Sequence, residues 1–158
     1  MKKYELTTET LQYAGHTLHR IKALRDFGNI NAGELGGWIE SEKNLSQVDN
    51  AWVYGNAMVY DDAIVSDNAW VYGNAKVYGE AEVSGNATIW DHARVFDKAL
   101  VYDNADIFNN AIVCGYADVN GEAKIRNAKV CDNKDYIIFK NFWSSGRYFT
   151  WTRSNNKW

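Results

Sequence analysis

Histidine and cysteine are the residue types here that most often carry chemistry, and this chain holds three histidines and two cysteines. His92 is the only histidine of residues 50–133 and so the only candidate for a general base there. A base also needs an orienting partner and a substrate pocket, and the neighbouring residues name neither. A catalytic zinc of the three-histidine type needs three imidazoles converging on one ion. His16 and His19 are the only others, and both lie far upstream of His92. No phosphate-cradling glycine loop, nucleophile elbow or paired-cysteine metal motif is present. No residue pattern asks for a cofactor, and none is expected.

The elements that would position such residues follow from a six-residue period. From Asn50 the chain reads NAWVYG, NAMVYD, DAIVSD, NAWVYG, NAKVYG, EAEVSG, NATIWD, HARVFD, KALVYD, NADIFN, NAIVCG, YADVNG, EAKIRN. Alanine recurs from Ala51 to Ala123, with Val or Ile two residues later. Side chains two apart on a strand share a face, so each Ala/Val pair points inward. Gly, Asp or Asn comes two residues after the Val, from Gly55 to Asn127. These residues accept left-handed backbone angles. Each hexad is therefore a short strand plus a corner, and three hexads make an 18-residue triangular rung. Residues 50–67 and 68–85 match at 13 of 18 positions, which supports the longer period.

This pattern resembles the hexapeptide-repeat left-handed parallel β-helix family, and the resemblance covers residues 50–133. It implies an all-β triangular solenoid, and the left hand comes from the resemblance alone. Gly36–Glu42 (GGWIESE) and Asn50–Ala57 (NAWVYGNA) resemble uncharacterised solenoid proteins of phages and prophages. Members of the wider family are commonly trimers packed through solenoid faces, so a homo-oligomer, dimer or trimer, is implied. Many are acyltransferases with a histidine base near a subunit groove, which would give that role to His92. No loop interrupts the hexads from 50 to 127, and His92 falls inside a corner column of asparagines (Asn56, Asn74, Asn110, Asn127). A corner substitute for Asn is the simpler reading of it.

Three segments are expected: residues 1–49 as an N-terminal cap and irregular first rung, 50–133 as the β-helix, and 134–158 as an aromatic β-hairpin. Leu11–Leu18 suits a hairpin with Ala14-Gly15 as a two-residue turn, whereas the spacing of Leu18, Ile21 and Leu24 suits a helix; strands are the preferred reading. Gly33–Trp38 reads as an irregular first corner. Ile39 and Leu45 fall in the alanine phase, where larger residues would close the core end. Alanine returns at 128 rather than 129, which reads as a shortened corner where the solenoid is ending. Two aromatic runs, 136–143 and 148–153, flank a Ser-Ser-Gly-Arg turn.

Stacking by 18 sorts outward residues into ladders. One face carries Trp52, Tyr54, Trp70, Tyr72, Trp90 and Phe108. A second carries Tyr60, Tyr78, Phe96 and Cys114. The third, with Ser66, Ser84, Tyr102 and Asn120, is more polar. Contiguous exposed apolar surface marks a contact site, and Tyr and Trp are enriched at binding hot spots. Either the terminal hairpins or a second copy cover these stripes, or they meet a partner or ligand; on the second reading the stripes, with Arg147 and Trp151 of the C-terminal segment, are the candidate binding residues. Cys114 and Cys131 fall on neighbouring rungs, and parallel stacking gives poor torsion for a bond, so free thiols are expected.

Charge narrows the partner classes. Residues 50–133 carry 12 acids and 6 bases, net −6, whereas residues 134–158 carry 1 acid and 5 bases, net +4. The whole chain is at −3, which argues against general nucleic-acid coating. No apolar run nears 18 residues, and MKKYELTTET lacks an apolar signal region. A cytoplasmic protein of a bacterial host, with no membrane partner, is the expectation. The sum of these readings is a non-catalytic solenoid that binds a host protein or small ligand, a counter-defence inhibitor being one form. The alternative is a trimeric acyltransferase.

Overall fold

The computed structural model describes residues 1–133, 135–140 and 148–152. The repeat forms the expected parallel solenoid. Each strand is two or three residues long and pairs in parallel with the strand one rung away. Three faces result. The tryptophan face stacks Trp52–Val53, Trp70–Val71, Thr88–Ile89, Asp106–Phe108 and Lys124–Arg126. The serine face stacks Ile64–Val65, Glu82–Val83, Leu100–Val101 and Asp118–Val119. The basic face stacks Met58–Val59, Lys76–Val77, Arg94–Val95, Ile112–Val113 and Lys129–Val130.

The corners form because every expected turn residue from Gly55 to Asn127 adopts positive φ, between 53° and 73°. Aspartate corners also tie rungs together. The Asp61 carboxylate accepts the Gly79 amide at 3.1 Å, and Asp67 accepts Gly85 at 3.0 Å. Asp97 and Asp103 repeat this with Gly115 and Gly121. An Asn ladder runs down one corner, from Asn50 through Asn68 and Asn86 to Asn104, and ends on Glu122. Inside, the repeat alanines from Ala51 to Ala123 and the Val or Ile two residues after each of them, from Val53 to Ile125, are fully buried. Burial of this column against its neighbours supplies the hydrophobic stabilisation.

The N-terminal cap is the hairpin Tyr4–Tyr13 with His16–Ala23, turned at Ala14 and Gly15, both at positive φ. Gly33–Trp38 differs from the expected irregular corner. Leu35–Ile39 is a strand that pairs antiparallel with His16–Ala23 and parallel with Met58–Val59. It joins the hairpin to the basic face. Ile39 and Leu45 do close the core end, but on the valine column. Ile39 registers with Val59 and Leu45 with Val65. The entry coil is two residues longer than a rung, so Gly37 takes the place above Ala57. A Cβ on Gly37 would lie 2.7 Å from the Ala57 carbonyl oxygen, so only glycine fits.

At the far end, the short corner keeps register: Val113 pairs with Val130 although 17 residues separate them. Cys114 and Cys131 stand directly above one another with Cα atoms 4.4 Å apart, and they form a disulfide. The expectation of free thiols is corrected: the register that survives the slip brings the sulfurs together. Tyr136–Lys140 and Tyr148–Thr152 pair antiparallel as the expected hairpin. Its Ser-Ser-Gly-Arg turn lies outside the described residues. The Lys124 amide, on the last strand of the tryptophan face, donates to Thr150 Oγ1 at 2.7 Å, so the hairpin covers that edge. Among the described residues no helix is long and apolar enough to cross a membrane.

Candidate functional site

The two aromatic stripes meet different fates because the N-terminal cap curls over only part of the prism. On the basic face, Tyr60 is buried under Leu18 and Trp38, with Leu11, Tyr13 and Tyr78 around it. Burial pushes its phenol well above the ordinary range, and the neighbouring Tyr78 adds to this. Tyr60, Tyr78 and Phe96 stack in near-parallel planes with centroids 5.1 and 4.9 Å apart. On the tryptophan face, Trp52 is fully buried beneath Tyr4 and Phe27, whose rings meet it edge-on at 6.1 and 5.2 Å. Trp52 and Tyr60 are therefore withdrawn from the accessible binding surface: the cap uses both as its seat.

The rest of the tryptophan face stays open. Tyr54 is 44% exposed, and Trp70, Tyr72, Trp90 and Phe108 are half-buried. Tyr72, Trp90 and Phe108 form one stack, with centroids 5.8 and 4.9 Å apart and planes within 8°. The Trp90 indole N–H donates to Asp106 Oδ1 at 2.6 Å, and Thr88 donates to the same oxygen at 2.9 Å. The stack is thus held in one orientation. Burial, with Asp106 nearby, raises the Tyr72 phenol. Trp90 is stacked on both faces, by Tyr72 and Phe108, so its π-faces are occupied within the column. What faces outward is ring edge and phenol hydroxyl, a surface suited to another protein's apolar and carbonyl groups rather than to an intercalated planar ligand.

Charge is segregated by face. The outward strand positions of the basic face carry Lys76, Arg94 and Lys129 and no acid. Those of the serine face carry Glu82 and Asp118 and no base. Trp151, on the C-terminal hairpin, is 57% exposed. Arg147 lies outside the described residues.

His92 sits at an exposed corner, its backbone amide donating to the Asn109 carbonyl at 2.9 Å. The asparagine column continues on both sides of it, at Asn56–Asn74 and Asn110–Asn127. No hydrogen-bond partner for its side chain is present among the described residues.

The sequence reading missed a cluster centred on His16. Its Nδ1 lies 3.1 Å from Glu40 Oε1 and its Nε2 3.4 Å from Asp61 Oδ1. The ring packs on Tyr60 at 5.0 Å. Burial alone would raise the Glu40 carboxyl, but hydrogen bonds from His16 and the Asp61 amide outweigh it and the net shift is downward. The three residues are 24 and 21 positions apart and share no motif. Only the longer entry coil, which places Glu40 beside the corner at Asp61, brings them together.

Comparison with known proteins places the repeat. Residues 51–67 and 59–73 match the family model of the YdcK beta solenoid repeat. The uncharacterized acetyltransferase YdcK of Escherichia coli (strain K12) is 35% identical over 75 residues, 42% of this chain. The chain spans 23% of the length of that curated relative. The chain is thus a hexapeptide-repeat β-solenoid protein similar to YdcK over part of its length.

Proposed function

We propose that this YdcK-like solenoid is a non-catalytic binding module that acts by holding a host protein against its tryptophan face. The observation that carries this reading is the aromatic column of the tryptophan face below the N-terminal cap, with Tyr54 exposed and Trp70, Tyr72, Trp90 and Phe108 half-buried. Trp90, stacked on both faces by Tyr72 and Phe108, offers no open π-face, which supports a protein surface there over an intercalated planar ligand. The phage-like opening and repeat support an accessory protein of a phage or prophage, acting in the bacterial cytoplasm. The opposite charges of the basic and serine faces give a second copy a complementary surface, which supports a homo-oligomer.

Affinity purification from host lysate followed by native mass spectrometry tests the reading. A retained protein that is lost on Trp90→Ser, in a variant with unchanged circular dichroism, is the expected result. Recovery of the bare chain, or a partner indifferent to Trp90→Ser, refutes it.

One observation favours a second reading, acyl transfer with His92 as base: the relative over those 75 residues is described as an acetyltransferase. His92 would then need an orienting partner from another subunit. An acetyl-CoA turnover assay separates the two readings. Turnover that disappears in His92→Asn supports transfer; no turnover, or the same turnover in His92→Asn, removes it.

A further inference from the structure

We propose that His16, Glu40 and Asp61 form a binding site for a divalent first-row transition ion at the joint between the cap and the solenoid. One donor atom from each residue lies within 4.8 Å of the other two. An ion with bonds of about 2.0–2.2 Å holds its ligands roughly 3–4 Å apart; Glu40 faces Nδ1 and Asp61 faces Nε2, so the His16 ring turns to give one nitrogen to an ion held between the two carboxylates. An imidazole and two carboxylates are the donor set that zinc and its neighbours accept, and three protein ligands leave room for water.

The carboxylates are prepared for the role. Glu40 Oε2 accepts the Asp61 amide at 2.8 Å, and Asp61 Oδ2 accepts the Gly79 amide at 3.1 Å. Each acid therefore has one oxygen anchored by backbone and the other aimed at the His16 ring. Such outer contacts fix ligand orientation. His16 is held in turn by the Tyr60 ring. All three residues are partly buried, with side chains 27–35% exposed. Two carboxylates facing one imidazole leave the cluster negative whether or not the ring is protonated. Lys43, whose charge also reaches Glu40 and Asp61, is paired with Asp62 at 2.6 Å and not with the cluster. A divalent cation supplies the missing charge. It would also join the start of the second hairpin strand to a solenoid corner, fastening the cap where it covers Tyr60.

Calorimetric titration of the metal-stripped full chain with zinc chloride is the test, with cobalt(II) absorption as a second readout. The wild type is expected to bind one equivalent and to give the visible band of a cobalt centre with nitrogen and oxygen ligands. His16→Ala, Glu40→Gln and Asp61→Asn should each weaken zinc binding by at least about tenfold. His92→Asn should leave it unchanged. Glu40→Gln keeps an oxygen for the Asp61 amide, so it reads out the site even if His16→Ala loosens the cap. Hydrogen exchange of residues 16–23 should slow when zinc is added. Absence of one-equivalent binding by the wild type overturns the proposal. So does binding that all three cluster variants retain.

Discussion

The rungs 50–67 and 68–85 share most of their residues, yet the cap buries the outward rings of the first and only brushes the second. Trp52 and Trp70 occupy the same place in the same hexad, NAWVYG, and register directly with one another. Trp52 is fully buried by Tyr4 and Phe27, whereas Trp70 is half-buried on the open face. Tyr60 is sealed by the hairpin, whereas Tyr78 one rung below is only partly covered. The hexad fixes the inward geometry of a residue, and what lies against the prism decides whether its outward ring is part of the packed structure or stays open.

The largest effect should come from the two tryptophans. Trp52→Ala leaves a cavity under the cap and is expected to cost about 3–5 kcal/mol. Trp70→Ala, already partly wet, should cost about half of that or less. Equal losses in chemical denaturation would contradict the difference assigned to the cap.

Corner glycines provide a second, smaller contrast. Gly55 and Gly73 both sit at positive φ, 68° and 73°. A Cβ on Gly55 finds its nearest neighbour at 3.5 Å, but on Gly73 it lies 3.0 Å from the Asp91 amide nitrogen. Gly55→Ala should cost about 1–2 kcal/mol for the left-handed backbone alone. Gly73→Ala should cost roughly 1 kcal/mol more for the crowding. A thermal-melt series of the two variants checks the order.

The cap carries a pH signature of its own, from a lysine rather than from the stacked tyrosines of the rungs. Lys3 is fully buried, its ammonium donating to the Ala51 carbonyl at 2.9 Å. Burial, then Arg25, lowers its pKa from 10.5 to about 8. Between those values the unfolded chain binds the extra proton, so stability rises with pH across that window. The gain from pH 7.5 to 9.5 should be about 1 kcal/mol after solvent screening is allowed for. Lys3→Met should flatten it. Glu40 has the opposite sense: its lowered folded pKa lends stability above the ordinary carboxylate range, lost as pH falls through the folded value. Denaturation at pH 3–5 should show a shallower acid limb for Glu40→Gln.

The smallest effect belongs to the exposed asparagine ladder. Asn68 links Asn50 and Asn86 at 2.9 and 3.4 Å. Asn68→Ala should cost no more than about 0.5–1 kcal/mol, since water replaces exposed hydrogen bonds readily. A shift in denaturation midpoint within error of zero fits this; a loss as large as that of Trp52→Ala does not.

The solenoid was readable because its constraints are local. A small inward residue, a branched one two positions on and a left-handed corner recur every six residues, and each corner from Gly55 to Asn127 takes the backbone angle its residue type allows. The hairpin turn at Ala14-Gly15 was readable for the same reason. The entry coil was not, because its two extra residues shift Ile39 and Leu45 onto the valine column, and only the paired strands display that shift. Burial of Trp52 and Tyr60 depends on Tyr4, Phe27 and Leu18, which are remote in the chain and carry no periodic mark. The His16 cluster is equally non-local: Glu40 and Asp61 look like ordinary surface acids until the coil sets them beside the hairpin. The disulfide turned on a register that a one-residue slip left intact.

Partner binding measured side by side for Trp90→Ser on the open face and Phe96→Ser on the partly covered face tests the central claim most directly. Both variants should keep the wild-type circular dichroism spectrum. Trp90→Ser should lose the host protein seen with the wild type, and Phe96→Ser should retain it. Loss confined to Phe96→Ser, or equal retention by both, would contradict the assignment of the tryptophan face as the binding surface.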